Sequence, residues 1–399
     1  MIERKEVYEK IAPFIDKPVV KVITGVRRCG KSTFMKQLIE KLVLESGSRE
    51  NIIYINKELL EFEFINDYRV LYQYIKERTK AGAAKKHLFV DEIQEIQGWE
   101  KAINSILAEE LADIYITGSN STMLSSELAT LLTGRYVLIP MFTLSFAEFL
   151  QFRKKDESKK DEEFELYLKY GGFPGIHNLV FEDEVVFQYL DSIYNTILLK
   201  DVVARHSIRD IYLLEKIAAF CFDNCGNITT SKKIADFFKS QHVKISPDTV
   251  QNYITYLKDS FIFHKSGRYD IKGKKHLEVS EKYYAGDIGL RHSVIGYKKT
   301  DISGLLENIV YMELLRRGYS VSTGKFDDLE VDFIAEKSGS RIYFQVTYLL
   351  ASKETEEREF KPLEKINDNY PKIVLSMDKI WGDERNGMLR KNIVDFLLD

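Results

Sequence analysis

The chain predicts an α/β fold, and three stretches carry that prediction. Val19-Val20-Lys21-Val22-Ile23-Thr24 is β-rich and runs into a glycine-flanked loop, after which Phe34, Met35, Leu38, Ile39, Leu42 and Val43 recur at helical spacing. His87-Leu88-Phe89-Val90 is a second apolar strand, and it ends on two adjacent carboxylates, Asp91 and Glu92. Residues 113–118 read as a third strand, closing on Gly118, Ser119 and Asn120. Strands alternating with helices are the pattern of a parallel sheet.

The loop Gly25-Val26-Arg27-Arg28-Cys29-Gly30-Lys31-Ser32-Thr33 has the phosphate-loop spacing, a glycine, four residues, then Gly30-Lys31-Ser32. Strand, glycine loop and helix in that order aim backbone N–H groups and a helix N-terminus at a phosphate. Gly25 and Gly30 permit a close approach that a side chain would block. Lys31 is expected to reach β- and γ-phosphate oxygens, Ser32 to place its hydroxyl on Mg²⁺, and Thr33 to support the α-phosphate side. Val26, Arg27, Arg28 and Cys29 complete the expected ATP cradle. Residues 1–18 (Val7, Ile11, Phe14, Ile15) read as a short amphipathic segment packed beside it.

Residues 51–56 read as another strand, and residues 68–79 as a helix with Leu71, Tyr72 and Ile75 on one side. The pair Asp91-Glu92, following an apolar strand about 60 residues after a phosphate loop, has the Walker B form. Asp91 would hold Mg²⁺ through its water shell, and Glu92 would polarise the attacking water. Glutamate directly after the aspartate suggests hydrolysis by an in-strand base rather than a kinase or a switch GTPase. Gln94, Gln97 and Trp99 lead into a helix with Ile103, Ile106 and Leu107 inward. Residues 124–132 read as helical, and residues 136–140 as a fifth strand preceded by Thr133-Gly134-Arg135.

These residues carry a resemblance. Residues 19–140 resemble an AAA-type P-loop ATPase core of five strands. More narrowly, the chain resembles a widespread bacterial and archaeal family of predicted ATPases with a C-terminal domain of unknown function. The matching motifs are residues 25–32, Val90-Asp91-Glu92-Ile93-Gln94 with Trp99, Thr117-Gly118-Ser119-Asn120, Leu132-Thr133-Gly134-Arg135 and Leu144-Ser145-Phe146-Ala147-Glu148-Phe149. In such cores the strand at 113–118 lies between the P-loop and Walker B strands. Ser119 or Asn120 at its tip is then the candidate sensor of the γ-phosphate, with simple turn chemistry as the other reading. Arg135 is the candidate arginine finger, reaching a neighbouring subunit's nucleotide in a homo-oligomer. A surface arginine favoured by a helix C-terminus is the alternative.

Residues 141–209 are expected to form a helical lid. Residues 153–165 read as a solvated charge run, and residues 170–175 as a glycine-rich bend. Arg205 could sense the γ-phosphate or pair with Asp201 one turn earlier. Residues 210–280 read as three helices and a hairpin around Lys272-Gly273-Lys274-Lys275, a winged helix-turn-helix. On a DNA reading Thr249, Gln251 and Asn252 face the major groove, and Lys272, Lys274 and Lys275 touch phosphates; a protein docking module is the rival reading. Residues 281–399 read as α/β and resemble the restriction-endonuclease-like fold. That active site needs an acid on a helix, an aspartate on a strand, then Glu-X-Lys on the next strand. Glu307 and Asp332 fit, but Gln345-Val346-Thr347 stands last. A neutral amide is a poor Mg²⁺ ligand and no lysine follows it, so the domain is read as an inactive scaffold.

Composition bounds the function. The chain has 399 residues, which is room for two to four domains. It is 44% hydrophobic and 30% charged with a net charge of −3, a globular profile that rules against a generally basic nucleic-acid binder. No apolar run reaches membrane-spanning length, and the first residues do not read as a signal peptide. The only cysteines, Cys29, Cys221 and Cys225, give no disulfide framework, so a cytoplasmic protein without a membrane partner is expected. Cys221 and Cys225, one helical turn apart, read as buried small residues. The expected function is Mg²⁺-dependent ATP hydrolysis that moves a module holding DNA or a protein client. The rivals are a DNA-binding regulator gated by ATP with little turnover, and a metal-dependent nuclease.

Overall fold

The computed structural model describes residues 2–79, 85–119, 132, 134–379 and 384–399. Two compact units divide the chain, one of residues 1–142 with 259–261, the other of residues 143–258 with 262–399.

The first unit is built on five parallel strands, β1 (Val20–Thr24), β2 (Ile52–Asn56), β3 (Lys86–Asp91), β4 (Ala112–Gly118) and β5 (Tyr136–Pro140), in the order β2-β3-β4-β1-β5. β1, β3 and β4 are buried along their whole length. Helices cover both faces, which is why these strands read as unbroken apolar runs and not as alternating ones. Ile103, Ile106, Leu71 and Ile75 of the covering helices pack on Val22, Ile55, Leu88, Val90, Ile114 and Ile116. β4 lies between β1 and β3, as expected of this core. The register pairs Thr24 with Gly118 and Val90 with Ile116, so β1, β3 and β4 end at one sheet edge. The helix predicted over residues 124–132 falls almost wholly outside the described residues.

In the second unit the helix Phe146–Arg153 opens on a capping box of Ser145 and Glu148. The charge run after it is not simply solvated. Arg153 Nε reaches back to Glu163 Oε2 at 2.8 Å, and Glu163 is buried in the helix Lys160–Tyr170. Within the stretch expected to form a helical lid, a helix begins at Asp183, and from Ile197 to Ala204 it widens into a π-helix. Three helices follow, Ile211–Asp223, Ser231–Ser240 and Pro247–Asp259. Asp210, Thr230 and Ser246 cap them in turn, each accepting a backbone N–H three residues on.

Next come β6 (Phe263–Asp270) and β7 (Lys275–Ala285), an antiparallel pair. They are followed by β8 (Ser320–Phe326), β9 (Leu329–Lys337), β10 (Ser340–Val346), β11 (Lys372–Ser376), β12 (Glu384–Arg385) and β13 (Met388–Asn392). All eight form one sheet, ordered β12-β13-β11-β10-β9-β8-β6-β7. The hairpin read as a wing is thus the edge of the C-terminal sheet, and the boundary expected at residue 280 falls inside β7. β8, β9 and β10 run antiparallel and β11 runs parallel to β10. The helices Ile302–Arg316 and Lys353–Glu364 flank them in sequence. No helix among the described residues is long and apolar enough to cross a membrane.

Candidate functional site

The end of β1 turns directly into the loop 25–30, and the helix Lys31–Ser46 starts at its far side. Two glycines are required there. A Cβ on Gly25 would lie 2.0 Å from the Met141 carbonyl oxygen, and Gly30 caps the helix at φ +107°. Arg28 also sits in the left-handed region. The loop is braced from the N-terminal segment, since the Arg4 guanidinium donates to the Cys29 carbonyl at 3.2 Å and to the Phe142 carbonyl at 3.0 Å. Burial pushes the Cys29 thiol up, away from thiolate chemistry. Lys31 is 4% exposed and donates to the Gly25 and Val26 carbonyls at 2.8 and 3.2 Å. Ser32 is half-buried on the first helical turn and Thr33 is exposed, while Arg27 points outward to Glu58 at 3.3 Å.

β3 delivers the carboxylates. Asp91 is fully buried at the strand end. Glu92 follows in a left-handed conformation, φ +56°, unusual for a residue with a Cβ. That turn lifts its side chain off the strand toward the loop, where Glu92 Oε1 lies 4.0 Å from Lys31 Nζ. Its other oxygen, Oε2, accepts from Gln94 Nε2 at 2.5 Å and from Ser119 Oγ at 3.3 Å. Ser119 is fully buried, whereas Asn120 lies outside the described residues.

The residue that ties this corner together is one to which the sequence reading gave no role beyond its place in the motif Thr117-Gly118-Ser119-Asn120. Thr117, buried on β4, donates its hydroxyl to Asp91 Oδ1 at 2.5 Å and accepts the Glu92 backbone N–H at 3.0 Å. One hydroxyl therefore orients both acidic residues. Tyr54 on β2 adds a longer contact to Asp91 Oδ2 at 3.4 Å, and burial beside that carboxylate raises the phenol's pKa beyond its usual range. A serine hydroxyl on a helix's first turn and a carboxylate held by neutral donors are hard oxygen ligands, which fit Mg²⁺. Thr24 Oγ1, buried at the tip of β1, has no hydrogen-bond partner among the described residues, so the loop's entrance keeps an unspent polar atom.

Arg135 lies at the opposite end of the sheet. Its carbonyl takes the Val20 N–H, and Tyr136 pairs with Val20 at the start of β1. The Arg135 backbone is therefore a strand length from the loop of its own chain, about 13 Å at 3.3 Å per residue. Of the predicted nucleic-acid contacts, Gln251, Asn252, Lys274 and Lys275 are exposed, while Thr249 shares its hydroxyl with Ser246 at 2.9 Å and Lys272 pairs with Asp327 at 3.0 Å.

Comparison with known proteins agrees with this geometry. Residues 17–150 match the model of an AAA domain, and residues 161–301 match a domain of unknown function. An uncharacterised protein of Haemophilus influenzae is 38% identical over 401 aligned residues, covering 100% of this chain and 99% of that one. An uncharacterised protein of Methanocaldococcus jannaschii is 33% identical, covering 87% of this chain and 78% of that one. Among solved structures, a Walker-type ATPase of Pyrococcus abyssi aligns over 73% of this chain and 95% of its own, with 14% identity and a TM-score of 0.48. The loop, the paired carboxylates, the strand order and similarity over most of the length of both relatives agree: the chain belongs to the AAA-type P-loop ATPases, in one family with the Haemophilus and Methanocaldococcus proteins.

Proposed function

We propose that the chain hydrolyses ATP with Mg²⁺ and uses the cycle to move a DNA-binding module in its second unit. The observation that carries this reading is the convergence of Lys31, Asp91, Glu92, Thr117 and Ser119 at adjacent strand ends. Lys31 gives up the Gly25 and Val26 carbonyls for β- and γ-phosphate oxygens, which are stronger acceptors for its charge. Ser32 and Asp91 would hold Mg²⁺, which would supply charge neutralisation at the phosphoryl group. Glu92, with one oxygen fixed by Gln94 and Ser119, turns the other toward the attacking water and takes its proton. Arg135 acts on the nucleotide of a neighbouring copy, because its backbone is a strand length from its own loop. Steady-state ATP turnover with Mg²⁺ and with chelator tests the core of the reading, and turnover indifferent to chelator would overturn the metal's part.

Thr117 supplies a sharper test. Thr117→Val keeps the shape and removes the hydroxyl that serves both acids. Leaving Asp91 and the Glu92 N–H without that partner costs about 1–3 kcal/mol of stability. Turnover is expected to fall about 10- to 100-fold by misplacement of the base. Thermal unfolding and a turnover assay on the same preparation separate the two effects.

The DNA assignment is supported by the capped third helix, Pro247–Asp259, with Gln251 and Asn252 exposed on it, and by the lysines at the hairpin tip. Lys274→Ala/Lys275→Ala is expected to weaken duplex retention uniformly across sequences. It should also lower the slope of log affinity against log salt by up to about 1.8, close to 0.9 per phosphate contact. An unchanged slope would place any DNA contact elsewhere, and duplex binding absent in every nucleotide state would favour a protein client.

A further inference from the structure

We propose that Lys282 is the resident cation of a carboxylate centre in the second unit, its ammonium standing among Glu307, Glu330 and Asp332 where a divalent ion would otherwise be gathered. The centre is assembled from three elements. Lys282 comes from β7, Glu307 from the helix Ile302–Arg316, and Glu330 and Asp332 from β9. Lys282 Nζ lies 2.9 Å from Glu307 Oε1 and 2.7 Å from Glu330 Oε1, with its side chain 4% exposed. Tyr284, two residues along the same strand, donates to Glu307 Oε1 at 2.6 Å. Asp332 is buried, and its Oδ2 accepts the Val346 N–H at 2.8 Å.

Charge and donor counts favour an ammonium over a metal here. Burial works against the Lys282 charge, but Glu307, Asp332 and Glu330 outweigh it and raise its pKa. Burial, with the Glu307 charge beside it, raises the Asp332 pKa above the carboxylate range, while Lys282 opposes that rise, and the upward shift weakens Asp332 as a dication ligand. Gln345 offers no negative charge. Its Oε1 faces the Asp332 N–H at 3.4 Å, and its Nε2 donates to Glu359 Oε2 at 3.1 Å. Glu359 is in turn engaged by the Arg358 guanidinium at 2.7 Å. Thr347 stands where a water-activating lysine would follow. A lysine is present, but it enters from another strand and its ammonium is paired with the Glu307 and Glu330 carboxylates. Being part of the chain, it cannot diffuse away, and a dication entering beside it would meet a like charge across a few ångströms. The centre is therefore held together by its own side chain.

The test is Mn²⁺ uptake by the full-length, nucleotide-free chain, read from the free-ion paramagnetic resonance signal. In the otherwise unaltered chain, Asp332→Asn should leave Mn²⁺ stoichiometry unchanged. Lys282→Ala should take up one equivalent more than the natural sequence, and Lys282→Ala/Asp332→Asn should lose it again. If Lys282→Ala does not fold, Lys282→Gln/Glu330→Gln removes one carboxylate together with the ammonium and should show the same gain. Mn²⁺ stoichiometry lowered by Asp332→Asn alone would overturn the proposal, because the natural centre would then already hold metal. So would a folded variant lacking Lys282 that takes up no more Mn²⁺ than the natural chain.

Discussion

Glu92→Gln is expected to cut ATP turnover by about 10²- to 10⁴-fold, the range in which a positioned general base contributes. Nucleotide binding should survive. The amide has the shape of the carboxylate, it can present its oxygen to the Gln94 donor that holds Oε2, and the left-handed backbone at residue 92 is set by the turn and not by the charge. What is lost is the ability to take a proton from water. The variant should therefore trap ATP, and filter-binding retention of labelled ATP beside a turnover assay would display both halves of the effect. Lys31→Ala should fail differently, by losing the nucleotide itself, since the ammonium is the charge nearest the phosphate positions. If Glu92→Gln hydrolysed ATP at the natural rate, the base would lie elsewhere and the proposed mechanism would fail.

The difference between what was legible in the sequence and what was not has physical causes. The phosphate loop and the paired carboxylates could be read because their chemistry demands fixed residue types at fixed spacing. β1, β3 and β4 could be read because strands buried on both faces become apolar runs. Thr117 was legible as part of the motif Thr117-Gly118-Ser119-Asn120 but its role was not, because a β-branched residue inside a strand is ordinary filler, and only the register of β4 against β3 reveals a hydroxyl between Asp91 and Glu92. β8 escaped because Ser320-Val321-Ser322-Thr323-Gly324-Lys325-Phe326 lacks an apolar run. The π-helix after residue 196 was not read, since its i→i+5 bonding demands no particular residue type. Lys282 sits next to Glu281 in a charged stretch that reads as solvated. Its burial depends on helix and strand partners about 25 to 50 residues further on, and periodicity does not register such contacts.

Asp113→Ala is expected to be the most damaging single change to the first unit. Asp113 and its partner Lys21 have fully buried side chains and form a direct salt bridge between the neighbouring strands β4 and β1. The same carboxylate accepts the Tyr115 hydroxyl at 2.6 Å and the Asp16 N–H at 2.9 Å, and His87 Nδ1 lies 3.6 Å away. Lys21 also donates to the Lys17 carbonyl at 3.2 Å, and the Asp16 carboxylate nearby acts on its charge less strongly than Asp113 does. Truncating one member of a buried pair leaves an uncompensated ion, at a cost of about 3–5 kcal/mol. The effect should reach the nucleotide site, because this pair holds the opening turns of the two strands whose far ends carry Gly25 and Thr117. Replacing both partners, Lys21→Met/Asp113→Leu, should recover most of the loss, since an apolar pair of similar volume avoids desolvating either charge. Acid should act in the same direction as the truncation. Burial alone would raise the Asp113 pKa, but His87, Lys21 and Tyr115 outweigh it and hold the group below the usual carboxylate range. Its contribution is therefore present above the unfolded-chain value of about 3.9 and is lost as pH falls through the lower folded value. Denaturant unfolding of the natural chain, Asp113→Ala and the double variant at pH 7 and at pH 3 would check both claims. A single variant as stable as the natural chain at pH 7 would mean that water, and not Asp113, carries the Lys21 charge.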